Sequence, residues 1–120
     1  MNLILKYIKL NDILKRDLET FILNEYGEKG NEIKSSRLDD IQQDFKCCGA
    51  TDFLDWQESR YVKKSNITTA RVNYFNLVAE SCCKSPSAFC ARRTHPSNIF
   101  IQVCIFSVFY YYDYLIFNLN

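Results

Sequence analysis

The chain has 120 residues and carries 15 basic and 14 acidic side chains, which gives a net charge of +1. This length fits a single domain, and the charge balance argues against a nucleic-acid-binding protein, which would carry a basic patch. Aromatic residues make up 15% of the chain, whereas Gly (3) and Pro (2) are scarce. Because few residues favour turns, the sequence favours helices over a many-stranded sandwich, and the predicted fold class is all-α.

Residues 1 to about 26 predict one amphipathic helix. The run ends at Tyr26 and Gly27, where the glycine can adopt a left-handed cap. The polar stretch GEKGNE then predicts a connector. The apolar residues recur near the helical period, with Lys and Asp between them: Ile4, Ile8, Leu10, Ile13, Leu14, Leu18, Phe21 and Ile22.

A second helix is predicted by apolar side chains at helical spacing: Leu38, Ile41, Phe45 and Cys48. We expect Ser36 to cap its N-terminus and Gly49 to end it. Cys47 and Cys48 would then lie in its last turn, about 100° apart around the axis. Their side chains would point in different directions, so we expect them to bond to two different segments.

The middle of the chain has a less regular pattern. FLDW and YVKK predict short helical turns, and RVNYFNLV fits a helix or a strand equally well. Residues 82–100 are loop-like and contain Pro86 and Pro96. Among the aromatic residues Phe53, Trp56 and Tyr61, we expect Trp56 to pack in the core.

The six cysteines are an even number, which fits three disulfides and an oxidising compartment. The first ten residues contain Lys6 and Lys9, and no small-residue cleavage site follows, so they do not predict a secretory signal. The apolar stretch 99–117 contains Gln102 and Asp113 and does not predict a membrane span. A piece of a larger membrane-inserted protein would reconcile these observations. The cysteines are Cys47, Cys48, Cys82, Cys83, Cys90 and Cys104.

No catalytic or metal site is predicted, and no cofactor is expected. Zinc ligands are spaced two to four residues apart, unlike the adjacent pairs here, and His95 is the single histidine. No pair of cysteines has the two-residue spacing of a redox motif. Two pairs of carboxylates, Asp39/Asp40 and Asp52/Asp55, lie at predicted helix termini, where caps and solvated faces explain them.

Asn66-Ile67-Thr68 is an acceptor sequence for N-glycosylation. Both this modification and a disulfide framework require passage through the secretory pathway, so the two features support each other. We therefore predict a glycan on Asn66.

The cysteine pattern resembles the large extracellular loop of a tetraspanin. The family's hallmark is a Cys-Cys-Gly triplet with a downstream Ser-Cys, here at residues 47–49 and 81–82, and six cysteines match its three-disulfide subgroup. FKCCGATDFLDW resembles the typical family sequence. SCCKSPSAFCARRTHPSNIF is similar to the matching segment of the tetraspanins that associate with laminin-binding integrins. The resemblance covers roughly residues 5 to 104.

The resemblance implies a fold and a location. The fold is a small disulfide-linked helical domain with a two-helix stalk and a variable, loop-rich head. Residues 1–104 would form this domain, and residues 105–120 an aromatic-rich tail that diverges from the family. All four membrane spans and the usual Pro before Ser-Cys are missing, so we expect a fragment of a tetraspanin. The full-length protein would place the loop on the extracellular or lumenal face of the plasma or endosomal membrane.

The resemblance also implies the disulfide pairing. In the family the first cysteine bonds to the last, the second to the Ser-Cys cysteine, and the remaining two to each other. The implied pairs in this chain are Cys47–Cys104, Cys48–Cys82 and Cys83–Cys90.

The implied function is a non-enzymatic interaction module that organises membrane proteins, such as adhesion receptors, in tetraspanin complexes. No nucleic acid or small-molecule substrate is expected. One alternative is a free secreted disulfide-rich domain that acts as a ligand or inhibitor, which would need an export signal. Another is a small thiol enzyme, which would show a free reactive thiol.

We expect partner contact on the loop 91–100, because loops on a rigid scaffold commonly carry recognition. Its candidate side chains are Arg92, Arg93, His95 and Phe100. The integrin-associated relatives carry Gln-Arg-Asp where Arg92-Arg93-Thr94 stands. Only Arg93 matches, so integrin binding does not transfer from these relatives, and an integrin stays a candidate partner whose motif is matched only in part.

Overall fold

The computed structural model of the chain describes residues 3–67 and 76–105. Within these residues there is no strand, only one isolated β-bridge between Cys83 and Ile99, which confirms the all-α prediction. The three α-helices are α1 (Leu3–Thr20), α2 (Glu32–Asp44) and α3 (Arg60–Ile67). Shorter helical turns are a π turn at Phe21–Glu25 and 3₁₀ turns at Phe53–Glu58, Glu80–Cys82 and Cys90–Arg92.

The first predicted helix is confirmed as α1 and the π turn that continues it. The π turn closes where the N–H of Tyr26 donates to the carbonyl of Phe21 at 2.8 Å. Ile22 and Tyr26 are both buried, because residues four apart lie on the same side of a helix. Gly27 follows with φ +76°, the left-handed conformation expected after the helix. The second stalk helix that the resemblance implies lies outside the described residues.

The start of α2 differs from the prediction. The helix begins at Glu32, so Ser36 lies inside it, exposed, and does not cap it. The earlier start follows from the connector, where the N–H of Ser35 donates to the carbonyl of Asn31 at 2.9 Å. The Ser35 hydroxyl in turn accepts the N–H of Gly27 at 3.0 Å, which fixes the connector against the first turn of α2.

The end of α2 also differs from the prediction. The helix ends at Asp44, so Cys47 and Cys48 lie beyond it and not in its last turn. Lys46 adopts a left-handed backbone conformation, with φ +55°, and this turns the chain out of the helix before Gly49 is reached. Gly49 instead allows the turn that follows. Its φ is +78°, and a Cβ at this position would lie 2.1 Å from the carbonyl oxygen of Asp52.

The hydrophobic core lies where the π turn, α2 and the following turns meet. Trp56 is fully buried, as predicted, and its ring packs edge-on against Tyr26, with ring centroids 4.7 Å apart. Tyr61 packs edge-on against Tyr26 in the same way, at 4.9 Å. Such aromatic pairs contribute about 0.5–1.5 kcal/mol each beyond the area that they bury. The other large core side chains are Ile22, Leu38, Val62, Val78 and Ile99.

The predicted turns FLDW and YVKK are confirmed as a 3₁₀ turn and as α3. Ser59 caps α3, because its hydroxyl accepts the N–H of Val62 at 3.2 Å. Lys64 donates to both carboxylate oxygens of Glu28 at 2.9 Å, and this contact lowers the pKa of Glu28. Most of RVNYFNLV lies outside the described residues. No helix within 3–67 or 76–105 is long and apolar enough to cross a membrane.

Candidate interaction surface

Three disulfides hold the region beyond α2. They join Cys47 to Cys104, Cys48 to Cys82 and Cys83 to Cys90, with Cα atoms 4.9, 5.1 and 6.2 Å apart. These are the three pairs that the resemblance implies, and the distances fit ordinary disulfide geometry. All six cysteines are used, so a cysteine nucleophile would first need one of these bonds to be reduced.

A buried glutamine joins two of the cystine-bearing segments and the core tryptophan by hydrogen bonds. Gln42, on α2, is fully buried. Its carbonyl accepts the N–H of Gly49 at 3.0 Å and the indole N–H of Trp56 at 3.1 Å. Its amide donates to the hydroxyl of Ser81 at 2.6 Å. Each of these polar groups would cost free energy if it were buried without a hydrogen-bond partner. Gln42 supplies the partners, and so α2 packs against both the Cys-Cys-Gly and the Ser-Cys segments in the buried core.

Gln43 reinforces the same contact. Its amide donates to the backbone carbonyls of Ser81 and Cys83, at 2.7 and 2.8 Å. Two successive glutamines of α2 therefore bind the segment that carries two of the three disulfides. Sequence reasoning missed this function of Gln42 and Gln43, and polar residues near an apolar helix face were the available signal.

Asp39 extends the polar cluster toward the first helix. It lies in the middle of α2, so its predicted place at a helix terminus is wrong. Its Oδ1 accepts the hydroxyls of Tyr26 and Ser81, each at 2.7 Å. Burial, followed by the hydrogen bond to Asp39 and the charge of that carboxylate, raises the pKa of Tyr26, so the phenol stays protonated and donates.

The other carboxylates have structural positions. Asp52 caps the 3₁₀ turn that follows it, and Asp55 completes a reciprocal capping box, as predicted for this pair. Asp40 is exposed on α2. Among the described residues, no group of three His, Cys, Asp or Glu side chains could hold a metal ion.

Three of the four candidate contact residues lie close together in sequence, at residues 92–95. Arg93 and His95 are exposed, and Arg92 is half-buried. Asn98 fixes this loop, because its side-chain amide donates to the carbonyls of Cys90 and Arg93 at 2.6 and 2.8 Å. The loop therefore presents its basic side chains from a fixed backbone.

The surroundings of Phe100 differ from those of the three basic residues. Its ring is half-buried against the core, and its N–H donates to the carbonyl of Cys82 at 2.9 Å. It lines a cleft with Lys46, Lys84 and other residues, and none of the three basic loop residues lines that cleft.

Sequence reasoning missed Phe89, which lies directly before Cys90. Its ring is 62% exposed, and its backbone has φ +69°, a left-handed conformation that is rare for an aromatic residue. The guanidinium of Arg92 stacks over the ring, 4.1 Å from its centroid. The short loop closed by Cys83 and Cys90 thus presents an exposed aromatic ring, which pairs with Arg92 just beyond the loop. No sequence signal marks this conformation, because it depends on the disulfide.

The predicted glycosylation site is described in part. The backbone of Asn66 lies in the last turn of α3, whereas its side chain and Thr68 lie outside the described residues. The glycan stays a prediction.

Comparison with known proteins finds a match to the tetraspanin family over residues 3–119. The chain is 39% identical over 94 residues to Tetraspanin-11 of Rattus norvegicus and 36% identical over 94 residues to CD151 antigen of Mus musculus. It is 40% identical over 95 residues to Tetraspanin-11 of Mus musculus. Each match covers 78% of this chain and 35% of the relative, so the chain spans about a third of the length of these relatives.

The family match includes the features on which the geometry depends. The Cys-Cys-Gly turn, the Ser-Cys segment and all three disulfides lie within residues 3–119. The chain belongs to the tetraspanin family, and its disulfide-linked helical domain is the family's large extracellular loop.

Proposed function

We propose that this domain is a non-enzymatic interaction module that recruits membrane proteins into tetraspanin complexes. The observation that supports the proposal is the contact between exposed Phe89 and half-buried Arg92, close in sequence to exposed Arg93 and next to the Cys83–Cys90 disulfide. Aromatic and arginine side chains dominate the binding energy of protein interfaces, and a fixed backbone lowers the entropy lost on binding.

The backbone strain at Phe89 supports the same proposal. A left-handed conformation disfavours a residue with a Cβ, at a cost of about 1–2 kcal/mol. Exposing a large aromatic ring gains nothing for folding. A strained and exposed aromatic residue is therefore better explained by contact with a partner than by stability.

The proposed function also includes the domain bounds, the location and the contact residues. Residues 1–104 would be the loop, with residues 105–120 as the tail that follows it, and the domain would lie on the extracellular or lumenal side of the plasma or endosomal membrane. The contact residues would be Phe89 with Arg92, Arg93 and His95. An integrin is one candidate partner, supported by Arg93 at the centre of the motif.

The test displays the full chain on cells through an added membrane anchor and cross-links it to neighbouring membrane proteins. We compare the double variant Phe89→Ala/Arg93→Ala with the control Ile33→Ala/Lys34→Ala, which removes an exposed apolar side chain and a neighbouring lysine elsewhere. We expect the first variant to reduce at least one cross-linked partner by about tenfold or more.

The control variant should leave the same cross-linked proteins at wild-type levels. Equal cross-linking of every partner to both variants would contradict a contact at Phe89 and Arg93. Display of a folded domain with no cross-linked membrane protein at all would contradict the proposed function.

A further inference from the structure

A second surface adjoins the cystine region. It is an open cleft of ≈ 500 Å³ lined by Lys46, Lys84, Phe100, Ile101 and Gln102. Both lysines are exposed, and neither forms an ion pair with a described residue. None of the five lining residues is acidic, so the cleft has uncompensated positive charge beside apolar surface.

Disulfides fix the walls of this cleft. Lys46 directly precedes Cys47, which bonds to Cys104, and Lys84 directly follows Cys83, which bonds to Cys90. The backbone of Gln102, which also lines the cleft, is held because its carbonyl accepts the N–H of Cys48 at 2.8 Å. The two lysines are thus anchored by separate covalent links, and the cleft exists before any ligand enters.

The backbone at Ile101 is open to a further hydrogen-bond partner. Just before Ile101 the chain forms an isolated antiparallel β-bridge between Cys83 and Ile99: the N–H of Lys84 donates to the carbonyl of Asn98 and the N–H of Phe100 to the carbonyl of Cys82, both at 2.9 Å. No described residue hydrogen-bonds the N–H or carbonyl of Ile101, whose side chain is 40% exposed. Such an edge can accept one more extended segment.

We propose that this cleft binds an extended, acidic segment of a partner protein, which pairs its backbone with Ile101 and its carboxylates with Lys46 and Lys84. This inference rests on the proposed function and adds the chemistry of one partner segment. Added strands derive affinity from main-chain hydrogen bonds and specificity from alternate side chains. Alternate acidic and apolar residues would meet the lysines on one side and Phe100 on the other.

The shape of the cleft favours a peptide over a membrane surface. Binding to a bilayer uses apolar side chains that protrude into the lipid. Here the aromatic residue Phe100 is half-buried, and both lysines that line the cleft are exposed. A concave, basic site of this kind fits a chain that enters it.

The probe is a fluorescein-labelled peptide of alternating glutamate and valine, six residues long, added to the full disulfide-bonded chain and followed by fluorescence anisotropy. We expect a dissociation constant on the order of 100 µM that weakens with salt. A peptide of alternating lysine and valine should not bind. An acidic peptide with N-methyl groups on alternate amides should bind at least about fivefold more weakly, because it cannot complete the backbone pairing.

Lys84→Glu should weaken the binding of the acidic peptide by about tenfold or more. Lys34→Glu, the same charge reversal at an exposed position of α2, should leave the affinity unchanged. The amide signal of Ile101 in the wild-type NMR spectrum should shift on titration. This readout keeps the proposal testable if Lys84→Glu does not fold.

Several results would overturn the inference. The inference fails if the acidic peptide does not bind, if its N-methylated form binds equally well, or if the Ile101 signal does not shift. It also fails if phosphatidylserine vesicles bind more tightly than the peptide and their binding depends on Lys84. If cross-linking still requires Phe89 and Arg93 while the peptide fails, the proposed function stands and this site alone is rejected.

Discussion

At the scale of single residues, the uncharged side chain of Gln42 forms three buried hydrogen bonds. Its carbonyl and amide satisfy the Gly49 N–H, the Trp56 indole and the Ser81 hydroxyl in a site with no solvent exposure. The orientation of the amide is fixed by its partners, because both N–H donors must face the oxygen. The Cys-Cys-Gly turn and the Ser-Cys segment therefore depend on this residue as well as on the Cys48–Cys82 disulfide.

Gln42→Ala should lower the free energy of unfolding by about 3 kcal/mol, because it leaves buried donors without acceptors. Gln102→Ala, which truncates an exposed glutamine, should change it by less than about 0.5 kcal/mol. Denaturation with disulfides intact, followed by the fluorescence of the single tryptophan, measures both. Similar losses in the two variants would show that the hydrogen bonds of Gln42 do not stabilise the domain.

Two glycines with positive φ make a matched pair for a second prediction. Gly49→Ala combines a φ of +78° with a Cβ placed 2.1 Å from the Asp52 oxygen, so the turn must move. We expect a loss of about 3 kcal/mol or more. Gly30→Ala has a φ of +93° with nothing within 4 Å, and should cost about 1 kcal/mol. Equal losses in the same denaturation assay would exclude the steric argument.

At the scale of elements, the three cystines close loops of very different length. The pairs Cys47–Cys104 and Cys83–Cys90 are separated by 57 and 7 residues. On the chain-entropy model, the long loop stabilises by about 4 kcal/mol and the short one by about 2–3 kcal/mol.

Cys47→Ser/Cys104→Ser should therefore destabilise the domain more than Cys83→Ser/Cys90→Ser does, and each double variant avoids a free thiol. Equilibrium denaturation gives the order, and non-reducing peptide mapping of the wild type gives the pairing. A peptide that joins Cys47 to Cys82 would refute the connectivity, and a larger loss in the short-loop variant would refute the entropic order.

The helices show what the sequence can predict. The period of the apolar residues predicted the first helix, and the size and apolar character of an aromatic side chain predicted the burial of Trp56. The end of α2 could not be predicted, since Lys46 gives no sign of its left-handed backbone. The polar contact between Gln42 and Ser81 joins residues far apart in sequence, so only the folded chain brings them together.

The candidate surface was predictable in part for a similar reason. The loop and its exposed residues Arg93 and His95 follow from the cysteine and proline pattern. Phe100 was grouped with them by sequence distance, yet its ring lies against the core and a different cleft. Phe89 was missed because its exposure follows from the geometry of the Cys83–Cys90 loop.

At the scale of the whole molecule, passage through the secretory pathway should result in N-glycosylation. When the full chain is expressed in eukaryotic cells behind an added secretory leader, Asn66 should carry a glycan. A glycosidase should then increase the gel mobility of the wild type and leave Asn66→Gln unchanged. An exported, disulfide-bonded product with no such change would contradict the modification.

The bond between Cys47 and Cys104 also determines how the domain would bear tension. A pull on residues 3 and 105 passes along α1 and α2 to Cys47, crosses the disulfide to Cys104 and leaves the chain there. The 57-residue separation between these cysteines therefore stays outside the path of the force, which spares roughly 200 Å of extensible chain. Phe89, Arg93 and Lys84 lie inside this closed loop and would keep their positions while the ends of the domain are strained, until a reductant opens that single bond.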